Sequence, residues 1–138
     1  MNDNDTVFIA SGARTPVGSL QGSLSNLSAV DLGAIAIKEA ITRAGITGDE
    51  IDETIMGCVL SSGLRQAPAR QAAMKAGIPV TSGATTINKL CGSGMKAAML
   101  AHDLIKAGTN NIMVAGGMES MTNAPYFLMK GRKGMRMG

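Results

Sequence analysis

Short apolar runs alternate with helical patterns along most of this chain, and this alternation restricts the fold more than any other feature. Runs rich in apolar or β-branched residues predict four strands, and the segments between them predict three helices. This β-α-β-α-β-α-β order predicts an α/β fold with a mixed, mostly parallel sheet and right-handed crossovers. The predicted strands cover residues 6–10, 54–60, 84–88 and 112–115.

The predicted helices carry recognisable signals. At the first helix, Ser28 is a suitable N-cap, Asp31 stands at the third helical position, and Gly45 follows the last turn. A second helix begins at Pro68, whose missing N–H costs nothing in a first turn. The third helix, over 94–107, is apolar nearly all round apart from a narrow stripe of Lys96, Asp103 and Lys106, which predicts that it is buried.

The composition supplies a core of small and aliphatic side chains. Hydrophobic residues make up 45% of the 138 residues and aromatic residues only 2%, while there are 18 glycines. Small residues allow helices to approach a sheet closely, which suits a layered α/β domain. The length corresponds to one domain, or to a large part of one.

The net charge of +3 comes from the end of the chain and not from the whole surface. Residues 130–138 hold four basic residues and no acidic one, so the preceding residues carry nine basic against ten acidic side chains. This near balance argues against nucleic-acid binding. The amino terminus lacks a signal-peptide pattern, no apolar run approaches the ~20 residues of a membrane span, and two cysteines suit a reducing compartment. We therefore expect a cytoplasmic protein without a membrane partner.

Cys91 lies between the third predicted strand and the third predicted helix, in the run Leu90-Cys-Gly-Ser-Gly94. Unpaired N–H groups and the positive end of the helix dipole surround such a position and stabilise a thiolate. The small neighbouring residues leave room for a substrate and leave N–H groups free to face an oxyanion. The layout is similar to the nucleophile elbow of hydrolases. These local features leave two interpretations open, a nucleophile and a small core residue.

The other candidates for chemistry are weaker. Cys58 lies inside an apolar strand run, so we assign it to the core. His102 is the sole histidine and stands eleven residues beyond Cys91 on the same predicted helix, ~16 Å away along the axis. Proton transfer requires an approach of ~3 Å or one bridging water, so we expect His102 to be structural.

Four stretches in the same order resemble the thiolase family. The segment 84–99, around Cys91, is similar to the nucleophilic-cysteine segment of thiolases, and its Thr-Thr-Ile-Asn-Lys run is most similar to the acetyl-CoA acetyltransferase branch. The other stretches are 11–18, 67–72 and 114–126, and the similarity continues through 131–138. Any one stretch is modest support, but the four together identify the chain as a member of the thiolase family.

The resemblance implies roles for several residues. Cys91 would attack a thioester carbonyl and hold the acyl group covalently, with its own N–H donating to an oxyanion hole. Met118 would lie close to the acyl pocket or would only pack in the interior, while Glu119 and Ser120 would be structural supports. The strand 84–88 would pair across a dimer interface. The substrates would be acetyl-CoA and acetoacetyl-CoA, with no cofactor and no metal ion.

Thiolases are considerably longer, and part of their machinery has no match in this sequence. Their second half supplies an Asn-Glu segment, a Gly-His-Pro histidine that activates the nucleophile, and a second cysteine that acts as acid and base. We interpret residues 1–118 as a partial N-terminal domain and 119–138 as the start of an inserted loop domain. As a fragment the chain is expected to have little turnover alone, whereas the full-length form would be a dimer or tetramer.

Three alternatives stay open at this point. The nearest is a 3-ketoacyl-CoA thiolase that prefers longer acyl chains. The second is a non-catalytic, thiolase-like scaffold or subunit, and the third is a split enzyme that another chain completes. An ordinary, slow thiol reactivity at Cys91 would favour the scaffold, and a neighbouring reading frame with the Gly-His-Pro segment would favour the split enzyme.

Overall fold

The computed structural model describes residues 6–135 as a parallel three-stranded sheet packed against helices. The strands are β1 (Glu53–Gly57), β2 (Gly83–Ile87) and β3 (Met113–Gly117), in the sheet order β2-β1-β3. The α-helices are α1 (Ala29–Ala44), α2 (Pro68–Lys75) and α3 (Ser93–Lys106). Short 3₁₀ turns occur at 48–50, 121–123 and 131–133.

The two faces of the sheet carry different helices because the side chains of a strand alternate in direction. Met56 and Cys58 belong to a core shared with α1 and α2, whereas Gly57 lies directly against Ser93 at the start of α3. The buried members of the α1–α2 core are Ala29, Val30, Ile37, Ile41, Ile51, Met56, Cys58, Ala69, Ala72, Ala73, Ile78 and Met118.

The predicted ends of helix α1 are confirmed. Ser28 Oγ accepts a hydrogen bond from the Asp31 N–H at 3.2 Å, and the Asp31 carboxylate accepts one from the Ser28 N–H at 3.1 Å, which completes a capping box. Gly45 follows the last turn in the left-handed conformation, with φ of 70°. Glycine adopts this conformation without steric cost. Pro68 opens α2, as its position in the sequence predicts.

The α/β class and the parallel sheet are confirmed, but the strand predicted at 6–10 is wrong, and the observed order is α-β-α-β-α-β. Residues 6–10 adopt no regular structure and pair with no strand among residues 6–135. Phe8 and Ile9 are 79% and 94% exposed. A β-type sequence supplies propensity, but a strand forms only where a neighbour accepts and donates its hydrogen bonds.

Helix α3 is less buried than its apolar sequence predicts. Ser93, Ala97 and Ala101 are buried, at a spacing of four that places them on one face of the helix. Met95 and Met99 are 71% and 52% exposed. An apolar helix face is buried only where another element covers it. Among residues 6–135, no element covers these two methionines.

The segment after β3 is irregular, as the sequence predicts from Glu119 onward. It contains two 3₁₀ turns, and the apolar residues 126–129 are exposed. Ser120 Oγ and Asn123 Nδ2 donate to the Leu27 carbonyl at 3.1 and 3.0 Å, which ties the start of this segment to the residues before α1. Within residues 6–135, no helix is long and apolar enough to cross a membrane.

Asp31 links the start of α1 to the end of α2, because Lys75 Nζ donates to its carboxylate. The hydrogen bond from Lys75, followed by those from Ser28, lowers the pKa of Asp31 from 3.8 to about 2. Since the folded-state pKa is depressed, the associated stability is present above pH 3.8 and is lost as the pH falls through about 2.

We expect Asp31→Asn to reduce the free energy of unfolding by about 1 kcal/mol at neutral pH; the full pKa shift is discounted because the pair is partly exposed. Thermal unfolding of both proteins from neutral pH to about pH 2 measures this difference, which should shrink toward the acidic end. Glu39→Gln, which removes an exposed pair with Arg43 on the same helix, is the matched control and should cost less than about 0.5 kcal/mol. A difference that stays constant down to pH 2 would contradict the assignment.

Candidate active site

The carboxyl ends of the three strands lie side by side, and the residues that follow them form the candidate site. Gly57 of β1 is in register with Ile87 of β2 and with Gly117 of β3. In open parallel sheets, ligands bind at the edge formed by the carboxyl ends of the strands. Cys91 follows β2 and Met118 follows β3, so both residues predicted from sequence come from this edge.

Cys91 is exposed at the junction between β2 and α3. It directly precedes Gly92, the N-cap of α3, which has no side chain to cap the helix. The backbone N–H groups of Cys91 and Gly94 find no acceptor among residues 6–135, and the first turn of α3 holds no acidic residue. The backbone of Cys91 therefore lies among unpaired donors at the positive end of the helix dipole.

The turn that carries Cys91 is held in a strained conformation. Leu90 has a φ of 49°, in the left-handed region that costs a residue with a Cβ about 1–2 kcal/mol. Its N–H donates to Asn88 Oδ1 at 3.0 Å, and its carbonyl accepts from Ser93 Oγ at 2.6 Å. Ser93 Oγ also accepts from the Lys89 N–H at 2.8 Å. A strained strand-to-helix turn with an exposed side chain is the defining feature of a nucleophile elbow.

Helix α3 begins close to the sheet because glycines remove side chains from the contact. A Cβ placed on Gly57 would lie 2.5 Å from Ser93 Cβ, a separation that real Cβ atoms essentially never show. Gly94 and Gly117 also face each other, since a Cβ placed on Gly117 would lie 3.4 Å from Gly94 Cα. The position of the first helical turn, and with it that of Cys91, therefore depends on bare backbone at the end of β1, whereas the contact with β3 is of ordinary van der Waals distance.

Cys58 differs from Cys91 in the features that govern thiol reactivity. It is 2% exposed and belongs to the α1–α2 core, as its apolar strand sequence predicts. Burial raises the pKa of Cys58 to about 11, and the nearby charge of Glu119 and a hydrogen bond to its carboxylate add to this effect. Cys58 Sγ lies 3.8 Å from Glu119 Oε1. This thiol stays protonated at neutral pH and serves packing.

Glu119 and Asn88 make contacts that the sequence does not reveal in full. The Glu119 carboxylate accepts from the Val59 N–H at 2.9 Å and from the Leu60 N–H at 3.1 Å. These donors lie 60 and 59 residues earlier in the chain, so no local pattern signals the contact. Asn88 does have a local signal, because an Asn side chain commonly accepts from the N–H two residues later in a turn.

Met118 lies in the core beneath α1, with 6% of its surface exposed. A Cβ placed on Gly33 of α1 would lie 2.5 Å from its sulfur. Met118 also borders a cleft of about 440 Å³ between residues 13–20, α1 and residues 117–122, and Cys91 is not among the residues that line it. These contacts favour the packing role, and contact with an acyl pocket stays a prediction.

His102 lies near the far end of α3 and is exposed. Its Nδ1 is 3.1 Å from Asp103 Oδ1, in a pair with both side chains more than half exposed. Because α3 is continuous from Ser93 to Lys106, His102 is separated from Cys91 by most of the helix. Across residues 6–135, no three His, Cys, Asp or Glu side chains are grouped so that they could hold a metal ion.

The fold and this junction define a class of protein, a parallel α/β domain that exposes a cysteine at a strand-to-helix turn. The sequence profile of the family described as "Thiolase, N-terminal domain" matches residues 7–138. The chain therefore belongs to the thiolase family.

Two relatives and one solved structure show how far the similarity extends. The mitochondrial acetyl-CoA acetyltransferase of Xenopus tropicalis is 58% identical over 125 residues, which are 91% of this chain and 30% of that protein. The cytosolic acetyl-CoA acetyltransferase ERG10 of Gibberella zeae is 52% identical over 132 residues, which are 96% of this chain and 33% of that protein. The crystal structure of Acat5 thiolase from Ascaris suum in complex with coenzyme A superposes with a TM-score of 0.88 and 47% identity, over 90% of this chain and 32% of that one. The chain thus spans about a third of the length of these relatives.

We expect Gly57→Ala to reduce the free energy of unfolding by about 1–3 kcal/mol, because the added methyl group forces the start of α3 away from β1. Urea unfolding measures the change. Gly12→Ala is the matched control, since a Cβ at Gly12 has no neighbour within 4 Å. Equally small effects of the two substitutions would contradict the close contact between β1 and α3.

In the folded protein, iodoacetamide should alkylate Cys91 well before Cys58. At about pH 8 a thiol with a pKa of about 11 is ionised in roughly one molecule in a thousand, and Cys58 is also buried. Peptide mass mapping over time gives both rates, and we expect their ratio to exceed about 100. In concentrated guanidinium chloride the ratio should approach one. Equal rates in the folded protein would refute the difference in environment.

Proposed function

We propose that this protein acts as an acetyl-CoA C-acetyltransferase in which Cys91 carries the acetyl group. The observation that carries the proposal is the exposed Cys91 at the start of α3, in a chain more than half identical to proteins named acetyl-CoA acetyltransferase. The coenzyme A bound in the Ascaris suum thiolase structure supports coenzyme A thioesters as the substrate class.

In the proposed first step, the Cys91 thiolate attacks the carbonyl carbon of acetyl-CoA. A carbon–sulfur bond forms while the carbonyl electron pair moves onto oxygen, and the unpaired Cys91 N–H donates to this oxyanion. The carbonyl re-forms as the bond to the coenzyme A sulfur breaks. The products of this step are acetyl-Cys91 and a coenzyme A thiolate, which then takes up a proton.

In the second step, the acetyl group passes to a second acetyl-CoA. Removal of a proton from the methyl group of that molecule gives a carbanion, which attacks the carbonyl of acetyl-Cys91. Acetoacetyl-CoA forms as the Cys91 sulfur departs as thiolate, and the reverse sequence is thiolysis of acetoacetyl-CoA by coenzyme A. Because His102 is paired with Asp103 far along α3, we assign the proton transfers to the histidine and second cysteine that the resemblance places in the second half of thiolases.

The proposal has further parts that concern the whole protein. Residues 1–118 would form the N-terminal domain and 119–138 the start of the inserted loop domain, supported by the change to irregular chain after β3. A homo-oligomer, dimer or tetramer, is supported by the edge position of β2 in the sheet. The reaction exchanges thioesters and uses no cofactor. A cytoplasmic location is supported by the cytosolic relative from Gibberella zeae, and the mitochondrial relative from Xenopus tropicalis represents the competing compartment.

Intact-mass spectrometry after mixing the full chain with acetyl-CoA tests the first step. We expect an adduct of about 42 Da, since an acetyl group replaces the thiol hydrogen. The adduct should be absent from Cys91→Ser and present in Cys58→Ser, which is the matched control because Cys58 is buried in the core. An adduct that persists in Cys91→Ser would contradict the proposal. So would its absence from the wild-type protein joined to the second half of the family fold.

A further inference from the structure

The segments that follow the three strands are joined by side chains, and these connections end at the turn that carries Cys91. The segments are 58–60 after β1, 88–92 after β2 and 118–120 after β3. Strand pairing aligns the last residues of the strands but does not restrain the chain beyond the hydrogen-bond ladder. The Cys58 and Met118 N–H groups still donate to strand carbonyls at 3.0 and 2.9 Å, and hydrogen bonds from side chains restrain the residues beyond them.

The first connection runs from Glu119 to the segment after β1. Its Oε2 accepts from the Val59 N–H at 2.9 Å, and its Oε1 accepts from the Leu60 N–H at 3.1 Å. Hydrogen bonds to an ionised carboxylate are roughly twice as strong as those between neutral groups. The buried Cys58 thiol contacts the same carboxylate at 3.8 Å. Glu119 thus fixes residues 58–60 relative to the segment after β3.

The second connection runs through Asn88 to the cysteine turn. Asn88 Nδ2 donates to the Val59 carbonyl at 3.4 Å, and Asn88 Oδ1 accepts from the Leu90 N–H at 3.0 Å. Val59 is therefore held at its N–H by Glu119 and at its carbonyl by Asn88. Glu119 and Asn88 therefore connect the segment after β3 to Leu90, the residue that precedes Cys91.

Leu90 depends on such support because its conformation is unfavourable. Its φ of 49° lies in the left-handed region, and its side chain is 71% exposed, so packing offers little compensation. A residue stays in this region only where surrounding contacts over-determine its conformation. Ser93 supplies the contact at the Leu90 carbonyl, and Asn88 supplies the one at its N–H. Loss of the second contact lets the turn relax and shifts Cys91 relative to the first turn of α3.

We propose that Glu119 and Asn88 are positioning residues for Cys91. Together they hold Leu90 in the left-handed conformation and so fix Cys91 at the start of α3, where unpaired N–H groups lie. This inference rests on the proposed role of Cys91 as the acyl-accepting residue, while the hydrogen bonds that carry it involve no substrate.

Amide hydrogen exchange followed by NMR tests the connection without any substrate. Asn88→Ala should accelerate exchange at the Leu90 amide about three- to tenfold, because it removes the acceptor. Glu119→Gln leaves Asn88 in place, yet it should also accelerate exchange at Leu90, by about twofold or more. Asn110→Ala is the control, because Asn110 Nδ2 lies 3.3 Å from Glu53 at the amino-terminal end of β1. This substitution should leave the exchange rate of the Leu90 amide unchanged. If Glu119→Gln affects only Val59 and Leu60, the connection is overturned.

The rate of acetyl-Cys91 formation tests the consequence of the connection. Asn88→Ala should slow this step about three- to tenfold while melting within the range of the Asn110→Ala control. Leu90→Gly removes the steric cost of the left-handed conformation, so in that background Asn88→Ala should change the rate by about twofold or less. Equal losses in both backgrounds would show that Asn88 does not act through Leu90.

The two measurements separate this inference from the proposed function. A wild-type protein, joined to the second half of the family fold, that forms no acetyl-Cys91 contradicts the proposed function. The exchange rates at Leu90 then still decide whether Glu119 and Asn88 hold the turn. An acetyl-Cys91 adduct that forms equally fast in wild type and Asn88→Ala overturns the positioning role and leaves the proposed function in place.

Discussion

The close approach of α3 to the ends of β1 and β3 is the constraint on which the candidate site depends. Gly57 presents bare backbone there, and a Cβ at this position would collide with Ser93, while Gly117 lies in ordinary contact with Gly94. Ser93 packs on Gly57, and its Oγ also donates to the Leu90 carbonyl. One residue thus contributes both to the contact between α3 and the sheet and to the turn that carries Cys91. The unpaired N–H groups near Cys91 are brought to the strand ends by the same contact. Missing side chains therefore matter to this site as much as those that are present.

The sequence predicts well the features that depend on neighbouring residues. The ends of α1 follow from Ser28, Asp31 and Gly45, which act within a few positions of one another. The predicted strand at 6–10 fails for the opposite reason, since its residue types favour a strand but pairing requires a distant neighbour. The predicted burial of α3 is wrong for Met95 and Met99. The pattern of apolar residues shows which face of a helix is apolar, but it does not show whether another element packs on that face.

The same division applies to the candidate site. Cys91 is found from sequence because small residues, a strand and a helix start adjoin it, and these are local signals that the structure places as expected. Cys58 is assigned to the core from its apolar run, but the rise in its pKa includes the effect of a carboxylate 61 residues away. The bonds of Glu119 to Val59 and Leu60 are likewise invisible in the sequence, because no spacing rule connects residues so far apart. The sequence locates the thiol, and only the structure identifies the contacts around its turn.

The distance along the chain between Glu119 and its donors has a consequence for biosynthesis. A chain made from its amino terminus presents Val59, Leu60 and Cys91 to the surroundings before Glu119 has been added. Until that residue leaves the ribosome, the N–H groups of Val59 and Leu60 lack the carboxylate that accepts from them. During this interval the local contacts of Asn88 and Ser93 with Leu90 can form, but the connection from Glu119 cannot. Because Cys91 precedes Glu119 in the chain, the thiol is synthesised before the carboxylate that completes these contacts.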